Sequence, residues 1–186
     1  MTIGLKRGVV KLSKHNPEWE KVAAATVKRL SRIFGKAAKD IEHVGSTAIK
    51  NIHAKPIIDI AVAVDDFGEV EKLTPALETE GFMLRNWLLN ENEHMLYAIG
   101  YDVPPDDRLT THYIHVVYYN GATWREYLNF RDYLNSNVLI AKEYEAIKIE
   151  LAKKFPYDPG REKYHDGKHE FIEQTLADAA IWREKQ

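Results

Sequence analysis

The stretch Ile41-Glu42-His43-Val44-Gly45-Ser46-Thr47-Ala48-Ile49, continued by Ala54-Lys55-Pro56-Ile57-Ile58-Asp59-Ile60, decides the fold. Its first part predicts a strand that runs into a Gly-Ser-Thr turn. Such a turn lets a ligand approach the backbone closely, and a short helix after it would point N–H groups at a phosphate. The apolar run from Ile57 to Val64 predicts a central strand that is covered on both faces. Within that strand an ionised Asp59 is costly unless a metal ion, a cation or hydrogen bonds compensate it.

The rest of the chain predicts one mixed α/β or α+β domain over residues 1–186, with a helical part over about 121–186. Apolar residues at helical spacing follow Asn16-Pro17 and stop at Gly35, so Asn16 is expected to cap the first helix. Further elements are expected as follows: a short strand at 8–12, a helix at 69–80, weak strands at 82–84 and 93–99, a loop at 101–109, a strand at 111–119, and three terminal helices with a break at 156–160.

Composition limits the partners and the compartment. The formal net charge is −2, so no global positive field is available for DNA or RNA, and a small charged ligand is expected instead. There is no cysteine, which removes disulfides and a thiolate nucleophile. No apolar stretch approaches the roughly 18 residues of a membrane span, and residues 1–10 lack the apolar run of a signal peptide. We therefore expect a cytoplasmic protein.

Five motifs carry a resemblance to a known family: residues 43–47, residues 54–60, His112-Tyr113-Ile114-His115-Val116-Val117, Phe130-Arg131-Asp132-Tyr133-Leu134 and Tyr164-His165-Asp166-Gly167-Lys168. Together they resemble the GrpB family, which is grouped with the nucleotidyltransferase superfamily. The resemblance implies a nucleotidyltransferase-like mixed sheet flanked by helices. It also implies Asp59 as the catalytic and metal-binding acid, with Gly45, Ser46, Thr47 and Lys55 at the phosphates of a nucleotide.

One position departs from the superfamily pattern. Active nucleotidyltransferases usually carry a second acid two residues after the first, on the same face of the strand, so that both carboxylates hold Mg²⁺. Here that position is Ala61. A further metal ligand would then come from Glu42, from His115 or from the acids at 91 and 93. His112 and His115 are three apart on one strand, so only one of them can face Asp59, and we favour His115. An imidazole ligand would favour Mn²⁺ or Zn²⁺ over Mg²⁺.

Each of these residues also has a structural interpretation. Asp59 could be satisfied by Ser46, Thr47 or backbone N–H groups, and His115 could be a core histidine with a polar neighbour. A metal site at His165 and His169, four apart on an expected last helix, is less favoured than a solvated helix face. Arg131 could reach the cleft or simply pair with Asp132, and residues 164–168 could be a lid or the start of a helix.

Two functions remain open. The first is a metal-dependent nucleotidyltransferase that uses Mg²⁺ or Mn²⁺ and transfers from a nucleoside triphosphate to an unknown small acceptor. The second is a non-catalytic binding or regulatory module on the same fold, which Ala61 favours.

Overall fold

The computed structural model describes residues 3–85, 94–100, 108–160 and 162–186. The described elements are, in chain order, α1 (Glu18–Phe34), β1 (Ala38–Val44), β2 (Ile58–Val64), α2 (Phe67–Thr79), β3 (Met83–Leu84), β4 (His94–Ile99), β5 (His112–Tyr118), α3 (Ala122–Ser136), α4 (Val138–Lys154), α5 (Glu162–Asp166) and α6 (His169–Glu184). One-turn 3₁₀ helices at Gly35–Ala37 and Ser46–Ala48 flank β1.

The strands form one mixed sheet in the order β1-β2-β5-β4-β3. Strands β2 and β5 are parallel, whereas the β1–β2, β4–β5 and β3–β4 pairs are antiparallel. Strand β2 is therefore flanked on both edges, which explains why residues 60–64 are all fully buried. This mixed sheet with flanking helices confirms the predicted fold class.

Helices cover both faces of the sheet. Helices α1 and α2 pack on one face through a large apolar cluster that includes Trp19, Leu30 and Leu77. Helix α3 packs on the other face, where Trp124 meets Ala61, Ala63 and other small or β-branched side chains. A third cluster joins Ile49 and Ile52, which lie between β1 and β2, to helices α3 and α4. This third cluster fixes the segment that leads into Asp59.

Most expected elements are present with slightly different bounds. Helix α1 begins at Glu18 with Pro17 at the N-cap position, and Asn16 Oδ1 accepts from the Glu18 N–H at 3.0 Å, so Asn16 supports the first turn from one position earlier than the cap. The helix ends at Phe34, with the predicted Gly35 as its C-cap. The expected strand at 8–12 is wrong: Val9 forms an isolated bridge with Tyr157 instead of joining the sheet. Gly8 has a φ of +76° and packs against Pro159, so the chain turns over the C-terminal segment at this point. The expected loop at 101–109 lies mostly outside the described residues.

The helical C-terminal part has one more element than expected. The predicted break at 156–160 follows α4, and the short α5 then precedes α6. His165 and His169 therefore lie on two different helices, so the expectation that both occupy one last helix is wrong. Gly167 separates the two helices and packs against Leu151 of α4. Among the residues the structure describes, no helix is long and apolar enough to cross a membrane.

Candidate active site

The turn after β1 holds the carboxylate of Asp59. Val44 and Asp59 are partners across β1 and β2, so the chain leaves β1 directly beside the acid. Gly45 adopts φ 70° and ψ −171°, a region that is essentially reserved for glycine. A Cβ at this position would lie 2.6 Å from Asp59 Oδ2 and 2.9 Å from Asp59 Cβ. Glycine is therefore required for two reasons, the backbone conformation and the space that Asp59 fills.

A chain of polar side chains leads from Asp59 into the interior. Asp59, Ala61 and His115 share one face of the sheet because β2 and β5 run parallel with Ala61 beside His115. His115 Nε2 lies 3.2 Å from Asp59 Oδ1. The other ring nitrogen, Nδ1, lies 3.2 Å from the Tyr127 hydroxyl of α3 and 3.1 Å from His94 Nε2 of β4. Both nitrogens of His115 therefore have polar partners.

Burial decides where the protons lie in this chain. Desolvation, with a smaller contribution from the charge of Asp59, raises the pKa of Tyr127 far above its usual value, so the phenol keeps its proton. Desolvation lowers the pKa of His94 to about 4, and the neighbouring His115 adds to this effect, so His94 is neutral at pH 7. In the His115 tautomer that accepts from the Tyr127 hydroxyl at Nδ1, the ring carries its proton on Nε2 and donates to Asp59. His115 thereby orients the carboxylate.

Asp59 and His115 open into a cavity of about 550 Å³. Three parts of the chain line it. The N-terminal segment contributes residues 5, 6, 8 and 9; the sheet and its loops contribute Ser46, Lys55, Ile57, Asp59, Leu96, Thr110, Tyr113 and His115; and the segment after α4 contributes Asp158, Gly160, Glu162, Tyr164, His165, Asp166 and Lys168. A volume of this size is typical of small-molecule and cofactor sites.

The structure brings together most, though not all, of the residues singled out in the sequence. Ser46, Lys55, Asp59 and His115 line the cavity, and Gly45 supports Asp59 from behind. The side chain of Thr47 is instead buried and its hydroxyl lies 2.9 Å from His43 Nε2. Any contribution of Thr47 to a ligand is therefore restricted to its backbone.

The predicted alternative metal ligands have other partners. Glu42 is beside Ala61 on the correct face, yet its carboxylate accepts from Arg131 at 2.6 Å. Arg131 also donates to Asp132 at 2.7 Å. This arginine therefore forms ion pairs with neighbouring acids, as its structural interpretation predicts. His112 points to the opposite face and lies 3.1 Å from Thr26 Oγ1 of α1. The acids at 91 and 93 are outside the described residues.

The oxygen and nitrogen donors around Asp59 fit a cation that is shared with a ligand better than a metal centre built from protein side chains. Over residues 3–85, 94–100, 108–160 and 162–186, no three His, Asp or Glu side chains are arranged to hold an ion together. The described residues therefore do not by themselves supply a two-metal centre built from protein carboxylates. Mg²⁺, however, is commonly bound by one or two carboxylates together with substrate phosphates and water. Asp59 alone fits that arrangement, with the ligand supplying the remaining oxygens.

Several residues of the site had no clear signal in the sequence. His94 and Tyr127 reach His115 from β4 and α3, which are 21 and 12 residues away in the chain. Tyr144 of α4 places its hydroxyl 3.2 Å from Ser46 Oγ. The motif at 164–168 was, in contrast, recognised in the sequence, and its residues Tyr164, His165, Asp166 and Lys168 line the cavity. Pairings across helices and strands of this kind depend on tertiary packing, which residue spacing does not encode.

Comparison with known proteins identifies the family of the chain. The family model described as GrpB protein matches residues 9–178. The glutamate-rich protein GrpB of Alkalihalophilus pseudofirmus is 38% identical over 175 residues, covering 94% of this chain and 98% of that protein. The crystal structure of the conserved protein GrpB from Enterococcus faecalis superposes with a TM-score of 0.81 at 27% identity, covering 92% of this chain and 99% of that chain.

A more distant structural match is the Cid1 poly(U) polymerase with MgGTP bound. It has a TM-score of 0.47 and 15% identity over 72% of this chain and 44% of that chain, which is too weak to carry an argument about activity. The family model and the two GrpB proteins, in contrast, cover nearly the whole chain. The chain therefore belongs to the GrpB protein family.

Proposed function

We propose that the cavity binds a nucleoside triphosphate together with one divalent cation, Mg²⁺ or Mn²⁺, and that the protein transfers the nucleotidyl group to a small acceptor. The observation that carries the proposal is the position of Asp59. It is a partly exposed carboxylate at the mouth of a buried strand, fixed by Gly45 and His115, and it opens into a cavity that also contains Ser46 and Lys55.

The charges of the cavity support a metal–phosphate ligand. Its lining contains three lysines, Lys6, Lys55 and Lys168, and four carboxylates, Asp59, Asp158, Glu162 and Asp166. The carboxylates weaken the binding of a bare anion, and the lysines weaken the binding of a bare cation. A cation–triphosphate complex carries both signs and can be matched by both sets of side chains. The cation would provide Lewis-acid stabilisation of the charge that develops on the phosphates.

The chain's own residues would position the reactants. Asp59, oriented by the hydrogen bond from His115, would hold the cation side of the complex, while Ser46 and Lys55 would contact phosphate oxygens. In the transfer, the acceptor oxygen or nitrogen forms a bond to the α-phosphorus and gives up its proton to water. The bond from that phosphorus to the bridging oxygen breaks, and pyrophosphate leaves. Positioning of the two reactants and electrostatic stabilisation of the transition state would supply most of the rate acceleration.

A thermal-shift experiment tests the binding half. Wild type, Asp59→Asn and the matched surface variant Asp65→Asn would be melted with each common nucleoside triphosphate, in Mg²⁺, Mn²⁺ or chelator. Asp65 is an exposed residue that pairs with Lys39, so its loss changes charge without touching the cavity. At 100 times Kd, binding adds about 2.7 kcal/mol, which corresponds to a rise in Tm of roughly 5–10 °C for a chain of this size. We expect the full rise in wild type and Asp65→Asn with metal, and a smaller rise in chelator and in Asp59→Asn.

Ala61 supports a second candidate, a non-catalytic nucleotide-binding or regulatory module. Ala61 is fully buried under α3, so the place of the usual second acid is filled by apolar packing. This candidate predicts the same Asp59-dependent melting shift without release of pyrophosphate. Measuring pyrophosphate with a panel of small alcohols, amines and sugars as acceptors separates the two functions.

A further inference from the structure

Two lysines of the cavity converge on one buried aromatic ring. Tyr164, at the centre of α5, is 3% exposed. Lys55 Nζ lies 3.9 Å from the centre of its ring and Lys168 Nζ lies 5.1 Å from it. Both distances are within the range of cation–π contacts. Because all three residues line the same cavity as Asp59, the ring brings two ammonium groups to one part of its wall.

Buried contacts fix this part of the wall. The Tyr164 N–H donates to the buried Asp158 carboxylate at 2.9 Å, and the Asp158 N–H donates to the Gly8 carbonyl at 2.7 Å. Directly after α5, a Cβ on Gly167 would collide with a methyl group of Leu151. The position of Tyr164 is therefore determined by the N-terminal segment and by α4, and the wall is preformed.

A third lysine lies behind the wall. Lys148 of α4 is buried, donates to the His53 carbonyl at 2.7 Å and lies 4.3 Å from the ring centre of Tyr144. Desolvation, followed by the nearby charge of Lys168, lowers the pKa of Lys148 to about 7. The charge of Lys168 disfavours the protonated form of Lys148, the charge of Glu145 favours it, and a bound polyanion would favour it further.

We propose that Lys55 and Lys168, held by Tyr164, form a clamp for the polyphosphate tail of the nucleotide. The inference rests on the proposed function, because it assigns the tail to one part of the same cavity. Lysine is suited to this role as a mobile point charge for phosphate oxygens. The clamp also gives a role to the motif at residues 164–168, in which Tyr164 positions the ammonium groups and Lys168 contacts the ligand.

Metal-free inorganic tripolyphosphate is the probe for the clamp, with its affinity measured by calorimetry in the presence of chelator. Lys168→Gln and Lys55→Gln are each expected to weaken binding about tenfold or more, because each removes a charge-assisted contact. Lys72→Gln is the matched control, since Lys72 is an exposed lysine on α2 that pairs with Glu69. It should bind like wild type.

Two tyrosine variants test the role of the ring. Tyr164→Phe keeps the aromatic face and should bind tripolyphosphate like wild type, whereas Tyr164→Leu removes it and should bind more weakly. Circular dichroism and the melting temperature of each variant verify that it is folded. If tripolyphosphate does not bind to wild type, or binds equally to wild type, Lys168→Gln and Lys55→Gln, the clamp is refuted. An equal loss of tripolyphosphate affinity in Lys72→Gln would also refute the clamp, because the loss would then reflect only the lower positive charge of the protein.

The same variants separate the clamp from the proposed function. Asp59→Asn should retain metal-free tripolyphosphate binding, because it removes only the cation-binding group. If tripolyphosphate binds in a Lys168-dependent manner but no metal–nucleotide binds, the proposed function fails and the clamp stands. If a metal–nucleotide binds in an Asp59-dependent manner and Lys168→Gln leaves its affinity unchanged, the clamp fails and the proposed function stands.

Discussion

Replacing Gly45 by alanine tests how the turn positions Asp59. The new Cβ would meet Asp59 Oδ2 at 2.6 Å, Cβ at 2.9 Å and Cγ at 3.0 Å, in a backbone region that other residues avoid. The backbone strain costs about 1–3 kcal/mol and overpacking costs about 1–3 kcal/mol more. We therefore expect Gly45→Ala to lower the free energy of unfolding by about 2–6 kcal/mol.

A double-mutant cycle separates the two costs. Asp59→Gly removes all three atoms that the new Cβ would meet, whereas Asp59→Ala would leave the contact with Cβ. In the Asp59→Gly background, Gly45→Ala should therefore cost only the backbone strain. The cycle should show a coupling energy of about 1–3 kcal/mol.

Urea unfolding followed by tryptophan fluorescence measures all four proteins, since the chain contains four tryptophans. A coupling energy within about 0.5 kcal/mol of zero would mean that the turn and the carboxylate do not press against each other. The account of why glycine precedes Ser46 would then be wrong.

Three further predictions concern buried groups. Desolvation lowers the pKa values of His43, His94 and His112 to about 4, so between about pH 6.5 and 4 the unfolded chain binds more protons than the folded chain. Urea titrations should therefore show the free energy of unfolding falling as the pH drops through that interval, by at most about 3 kcal/mol per histidine. The pKa of Lys148 is lowered from 10.5 to about 7, so the free energy of unfolding should rise with pH between those values. Lys148→Met should flatten that rise, and an unchanged dependence of stability on pH would contradict the lowered pKa. Ala61→Asp places a carboxylate in apolar packing and should lower stability by about 3 kcal/mol or more without increasing pyrophosphate release, and a stable variant with higher activity would refute this interpretation.

The local signals in the sequence were sufficient for most of the fold. The continuous apolar run at 57–64 indicated a covered central strand because β2 has neighbours on both edges and helices on both faces. Asn16 and Gly35 marked the ends of α1 because capping depends on adjacent residues. The prediction of a strand at 8–12 failed because this segment pairs with the C-terminal segment instead of the sheet: Val10 is buried and its N–H donates to the Pro156 carbonyl. Strand propensity does not reveal which part of the chain a strand-like segment packs against.

The candidate site was only partly visible in the sequence. Period-two alternation on β5 was enough to separate His115 from His112, and the structure places His115 beside Asp59. Its function as a metal ligand remains a prediction, and the polar partners at both of its ring nitrogens favour an orienting role in our proposal. The engagement of Glu42 by Arg131 could not be predicted, because it depends on how α3 crosses β1. The convergence of Lys55 and Lys168 on Tyr164 joins positions more than 100 residues apart, which no spacing rule covers.

The central claim is that Asp59 holds a metal–nucleotide complex in the cavity between the sheet and α5. Isothermal titration calorimetry of Mg²⁺ with ATP, GTP, CTP and UTP into wild type and Asp59→Asn tests it most directly. We expect saturable binding of at least one nucleotide to wild type in Mg²⁺, weakened about tenfold or more by Asp59→Asn and by chelator. Equal affinities in wild type and Asp59→Asn, or no heat of binding with any nucleotide, would contradict the claim.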